Sequence, residues 1–135
     1  LGYKGNMASA KAARQTAEYN AQVKENEAIL LQRAKIEEEN SLRQQSERLE
    51  GTQRVATAAS GITMSGSPMQ ALADTYFNTE YDALKIQYAS DIEQTRQISA
   101  ATLIRAEGAA RSSALKTRAY QSLLEGGSRA ATLMA

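Results

Sequence analysis

Strong helix formers run almost unbroken from about residue 8 to about residue 59, and the hydrophobic positions among them are sparse. Ala28, Leu42, Leu49 and Ala56 fall on a seven-residue spacing whose remaining member is Lys35, while the positions three residues on, Leu31, Glu38, Gln45 and Thr52, are mostly polar. That is half a coiled-coil seam. Ile29 and Ile36 make a second short stripe beside it, so this helix is expected to touch more than one neighbour. Gly51 is its one weak position. Candidate i,i+4 pairs, Arg14–Glu18, Arg33–Glu37, Lys35–Glu39 and Arg43–Glu47, describe a solvated face on which each pair contributes a few tenths of a kcal/mol.

The pattern breaks across residues 60–67. Two Gly, three Ser and the sole Pro cluster within nine residues from Ser60 to Pro68. Gly61 is expected to close the first helix in a left-handed conformation, and Ser67 followed by Pro68 to open the second, with the hydroxyl capping a free backbone N–H; Gly66 belongs to the same turn. A second helix is predicted from about 68 to about 124. Its apolar or small positions recur at steps of three and four: Phe77, Tyr81, Leu84, Tyr88, Ile92, Thr95, Ser99, Thr102, Ala106, Ala109, Ser113, Thr117, Tyr120 and Leu124. The stripe turns from bulky to small midway, which suits close helix contact in the C-terminal half. Gly108 reads as a weak point or a site of close approach, and Gly126-Gly127 as the helix end before a flexible tail.

Composition sharpens this picture. The 135 residues have room for one domain, but one Phe and no Trp leave the chain short of the side chains that fill a core. The expected architecture is therefore all-α, a single elongated hairpin whose helices of roughly fifty residues would each be about 75 Å long. One narrow seam between two such helices leaves most of their surface wet, so lateral association into a ring or tube is expected. Leu31, Leu42, Leu49, Leu72, Phe77, Leu84, Tyr88 and Ile92 are the candidate packing and oligomer contacts.

Sixteen basic and fifteen acidic residues give a net charge of +1, so no global field recruits nucleic acid. Residues 1–58 carry +1, 59–97 carry −3 and 98–135 carry +3. Arg105, Arg111, Lys116, Arg118 and Arg129 make the C-terminal part basic, with Tyr120 alone among them as an aromatic. Density and interleaving fall short of a nucleic-acid module, and Arg105, Arg111, Lys116 and Arg118 are candidates to face DNA in the event that they line a tube.

The absence of Cys and His removes disulfides, thiol chemistry, imidazole acid–base work and the usual transition-metal ligands, so no cofactor or metal is expected. Glu37-Glu38-Glu39 fan out around a helix, and Asp74 with Asp82, or Asp91 with Glu93, lack the spacing and partners of a catalytic pair. Gly61 to Gly66 lacks the Lys-Ser/Thr of a phosphate loop and follows a helix. A non-enzymatic protein is expected. No apolar run approaches the roughly 20 residues of a membrane span. The tyrosines read as packing residues, and the start at Leu1-Gly2-Tyr3-Lys4 reads as part of something longer.

The run Val55-Ala56-Thr57-Ala58-Ala59-Ser60-Gly61-Ile62-Thr63-Met64-Ser65-Gly66-Ser67-Pro68-Met69, then Arg105-Ala106-Glu107-Gly108-Ala109-Ala110-Arg111 and Leu123-Leu124-Glu125-Gly126-Gly127-Ser128, resembles the small internal virion proteins of short-tailed bacteriophages, also called core or ejection proteins. The resemblance covers most of the chain, including the stretch around Asn6-Met7-Ala8-Ser9-Ala10-Lys11. It implies copies held inside the capsid beside portal and tail proteins, which leave at infection and reassemble into a conduit through the cell envelope, this component at the host outer membrane. A generic coiled-coil scaffold or adaptor is the competing expectation.

Overall fold

The computed structural model describes residues 2–134, with side chains described to Thr132. It is a helical hairpin of two long helices in contact: α1 over Gly2–Ala59 and α2 over Ser67–Met134. Both are longer than the sequence pattern suggests. Helix α1 starts at Gly2 rather than near residue 8, and α2 continues through Gly126-Gly127 instead of ending there. The reason is conformational: neither glycine adopts a positive φ, and Ser128-Arg129-Ala130-Ala131 beyond them carries the helix on. A mid-helix glycine costs about 1 kcal/mol relative to alanine, which weakens a helix without stopping it. Gly51 is passed in the same way.

The turn does require two glycines. Gly61 (φ 74°) and Gly66 (φ 73°) sit in the left-handed region that an L side chain rarely enters. The end of α1 tightens, with Ser60 N–H donating to the Ala56 carbonyl (3.1 Å) and Gly61 N–H to the Ala58 carbonyl (3.2 Å). At the start of α2 the Gly66 carbonyl accepts from Gln70 N–H (3.0 Å), which makes Gly66 the cap residue. The capping role expected of the Ser67 hydroxyl is therefore not taken up; Ser67 and Pro68 form the first turn, where a missing N–H is tolerated.

By their contacts the residues fall into two units. One joins residues 2–27 of α1 to residues 96–134 of α2; the other, Ala28–Thr95, holds the turn and the adjoining parts of both helices. In the first unit Ala10, Ala21, Ala101, Ala119 and Ser112 are buried, and Tyr3 and Tyr120 stack at a tilt with centroids 6.2 Å apart. In the second, Ala28, Ala83 and Ser46 are buried. The Thr79 and Ser46 hydroxyls meet at 2.6 Å, the Gln53 amide reaches Thr75 at 3.2 Å, and the Gln94 amide donates to the Ala28 carbonyl at 3.3 Å. Among the described residues no large side chain is fully buried.

The buried and half-buried positions repeat every eleven residues, not every seven. On α1 the ladders are Ala13–Lys24–Lys35–Ser46–Thr57 and Ala17–Ala28–Glu39–Glu50; on α2 they are Thr75–Ile86–Gln97–Gly108–Ala119 and Pro68–Thr79–Ser90–Ala101–Ser112. Eleven residues in three turns is 3.67 per turn, close to the relaxed helix. The seven-residue ladder read from the sequence drifts off this line. Ala28 is buried, Lys35 and Leu42 are half-buried, and Leu49 and Ala56 are exposed.

Candidate assembly surface

The buried positions of the seam are filled by small side chains, and most of the large hydrophobic ones are exposed. Every member of the α2 stripe singled out from sequence, from Phe77 to Leu124, is exposed. Phe77 is 68 % exposed, Leu84 61 % and Tyr88 71 %. Their three- and four-residue steps hold them on one face, and the buried positions Ala83, Ala101, Gly108 and Ala119 lie on the far side of the same helix. Of the candidate packing residues, Leu31, Leu42 and Leu72 are half-buried at the seam, whereas Leu49, Phe77, Leu84, Tyr88 and Ile92 face outward. Ile29 and Ile36 on α1 are exposed too.

Why the seam is made of small residues is clearest at Gly108. A Cβ built there would stand 2.1 Å from the Ala17 Cβ and 3.6 Å from the Ala13 carbonyl oxygen, so the two backbones touch at this point. Only glycine on one helix facing alanine on the other permits that approach. Of the two readings of Gly108, the structure shows close approach.

Charged residues pair across the seam as well as along one helix, where Lys24–Glu27 and Lys85–Asp82 are three residues apart. Arg105 donates from Nε and Nη2 to Glu18 (3.0 and 2.9 Å) and from Nη2 to Glu25 (3.1 Å), with Nη1 also on Glu25. Hydrogen bonds from Arg105 hold both carboxyls below their ordinary range, and the two carboxylates, Glu25 first, raise the Arg105 guanidinium further. In the other unit Lys35 pairs with Asp91 (3.0 Å), and Arg43 with Glu80 (3.5 Å) and Glu39 (3.4 Å). The expected Arg14–Glu18, Lys35–Glu39 and Arg43–Glu47 pairs are displaced by these contacts, and Arg33–Glu37 is not among the ion pairs of the described residues. Fold-back brings the better-placed partner from the other helix, which spacing along one helix cannot reveal.

This changes the standing of the candidate DNA-facing residues. Arg105 is spent on two carboxylates. Arg111, Lys116 and Arg118 make no ion pair among the described residues; Arg111 and Arg118, seven residues apart, share a face of α2, and Lys116 lies on another. Lys116 lines an open groove on one edge of the seam with Lys11 and Arg14, and Arg111 lines another with Glu107 and Asn20. Among the described residues no cluster of His, Cys, Asp or Glu could hold a metal, and no helix is long and apolar enough to cross a membrane.

No protein-family model, curated protein or solved structure matches the chain.

The arrangement leaves a large surface exposed. A compact monomer of 14.6 kDa exposes about 6,900 Å², whereas this chain exposes 10047 Å². The excess, about 3,100 Å², is several times the roughly 800 Å² that one partner contributes to an interface of standard size.

Proposed function

We propose that this chain is a structural, non-catalytic assembly subunit, a hairpin that works by packing side by side with further copies. The observation that carries the reading is the inverted distribution of side-chain size, with alanine, serine and glycine in the seam and Phe77, Tyr81, Leu84, Tyr88 and Ile92 outside. Apolar surface left in water is worth about 25 cal/mol per Å² when it is covered, so a neighbour on this face gains what the hairpin itself leaves unused.

In the setting that the resemblance to internal virion proteins implies, the assembly is a ring- or tube-forming conduit for the genome of a short-tailed phage. It is carried in the virion with portal and tail proteins and acts at the host outer membrane after ejection. The unpaired cations Arg111, Lys116 and Arg118 are then available to phosphates of passing DNA. The sum of these features supports assembly first and conduit second.

The test combines sedimentation of the purified chain with negative-stain imaging and dye release from phosphatidylethanolamine–phosphatidylglycerol vesicles. Concentration-dependent oligomers, rings or tubes in the images and dye release are expected. A monomer at all concentrations that unfolds as one sharp transition overturns the assembly reading. Oligomers that neither bind nor permeabilise vesicles overturn the conduit and leave a coiled-coil scaffold or adaptor.

A further inference from the structure

Folding back sorts the charge in a way that the linear sequence hides. The unit made of residues 2–27 and 96–134 carries ten Lys or Arg against five Asp or Glu, a net +5, and the unit Ala28–Thr95 carries six against ten, a net −4. Much of this charge has no partner within the chain: Lys4, Lys11, Arg14, Arg111, Lys116 and Arg118 in the first unit, and Glu37, Glu38, Glu47 and Asp74 in the second, form no ion pair among the described residues. The outward face of α2 is sorted as well. Its bulky members from Phe77 to Ile92 lie in the acidic unit and its small members from Ser99 to Thr117 in the basic one, where bulk returns only at Tyr120 and Leu124.

We infer that the covering partner on this face is a second copy running antiparallel, with the acidic unit of each chain against the basic unit of the other. The inference rests on the self-association proposed above and adds its direction and register. In-register parallel packing would set +5 beside +5, −4 beside −4 and tyrosine against tyrosine. Antiparallel packing about a two-fold axis at Thr95 reverses all three. Phe77 then faces Ser113, Tyr81 faces Ala109, Leu84 faces Ala106 and Tyr88 faces Thr102, so these four bulky side chains each meet a small one on the partner, while Ile92 meets Ile98 beside the axis. An isologous pair of this kind satisfies both charged units at once and closes on itself. Like charges facing each other across an interface disfavour the alternative, and complementary ones fix the register. The uncovered area exceeds what one such interface takes, leaving Ile29 and Ile36 on α1 for further neighbours.

The chain contains no cysteine, so single substitutions report the register without background. Thr95→Cys places two thiols together at the axis, whereas Leu84→Cys separates them by some 22 residues of helix, on the order of 33 Å. Under mild oxidation the full chain carrying Thr95→Cys is expected to form a covalent dimer and the Leu84→Cys chain to remain uncrosslinked, while Leu84→Cys mixed with Ala106→Cys crosslinks between the two. The Thr95→Cys yield should fall several-fold between about 0.1 M salt, where charges act over about 10 Å, and about 1 M, where they act over about 3 Å. Sedimentation of the unmodified chain runs alongside. Self-crosslinking of Leu84→Cys, or any other pattern in a chain that does associate, overturns the antiparallel register and leaves self-association standing. A chain that sediments as a monomer and crosslinks nowhere overturns both.

Discussion

Replacing Gly108 by alanine sets two physical effects of opposite sign against each other, and the structure fixes which dominates. In an exposed helix interior the change is stabilising by about 1 kcal/mol, because glycine loses more backbone freedom on folding. At Gly108 the new methyl group would lie 2.1 Å from the Ala17 Cβ, against the roughly 3.5–4.0 Å of a carbon–carbon contact at its optimum. Both atoms are fixed to backbone, so no rotamer relieves the clash, and the helices must part by about 1.5 Å at this point. Overpacking of this kind costs about 1–3 kcal/mol, and the immobility of both methyls places it toward the upper end. We predict a net destabilisation of about 1–2 kcal/mol, or a fall in Tm of roughly 4–8 °C for a chain of this size. Gly51→Ala is the matched control, since nothing lies within 4 Å of a Cβ there, and it should raise Tm by a few degrees. Both Tm values are read by circular dichroism at one protein concentration. A Gly108→Ala chain as stabilised as Gly51→Ala would refute the close seam.

Three further outcomes follow from the same geometry. The Glu18 and Glu25 carboxyls sit below their ordinary pKa because Arg105 donates to them, so they add stability that is present above the usual carboxylate range and lost as pH falls through their lowered values. Arg105→Gln should therefore lower Tm at neutral pH, and its difference from the unmodified chain should shrink on acidification; parallel Tm–pH curves for the two would count against the cross-helix pairing. Ala101→Leu, which forces a large side chain into the seam at a position that is 1 % exposed, should cost about 1–3 kcal/mol in denaturant unfolding, whereas the same change at exposed Ala114 should leave stability within about 0.5 kcal/mol. Tyr88→Glu should weaken self-association in sedimentation at least several-fold while leaving helix content unchanged; loss of helix with association intact would contradict the placement of Tyr88 outside the hairpin.

What residue order alone determined is the local structure. Fifty-odd residues without proline, dense in alanine, glutamine, glutamate and arginine, have no competitive alternative to helix, and the glycine–serine–proline cluster at 60–68 marks the turn because two positions there require positive φ. Termini were less legible, since Gly126-Gly127 carries the same letters as Gly61 but no left-handed backbone. The face that pairs was decided only by tertiary structure. Hydrophobicity drew attention to Phe77, Tyr81, Leu84 and Tyr88, yet the seam selects for size, because two backbones in contact at Ala17 and Gly108 leave no room for a large side chain. The signal was present as an eleven-residue recurrence in which alanine, serine, threonine and glycine alternate with long polar side chains and Ile86, which a search for apolar heptads passes over. The charge division was likewise invisible in linear order: it arises because residues 2–27 fold onto residues 96–134, and no property of either segment alone places them in one unit.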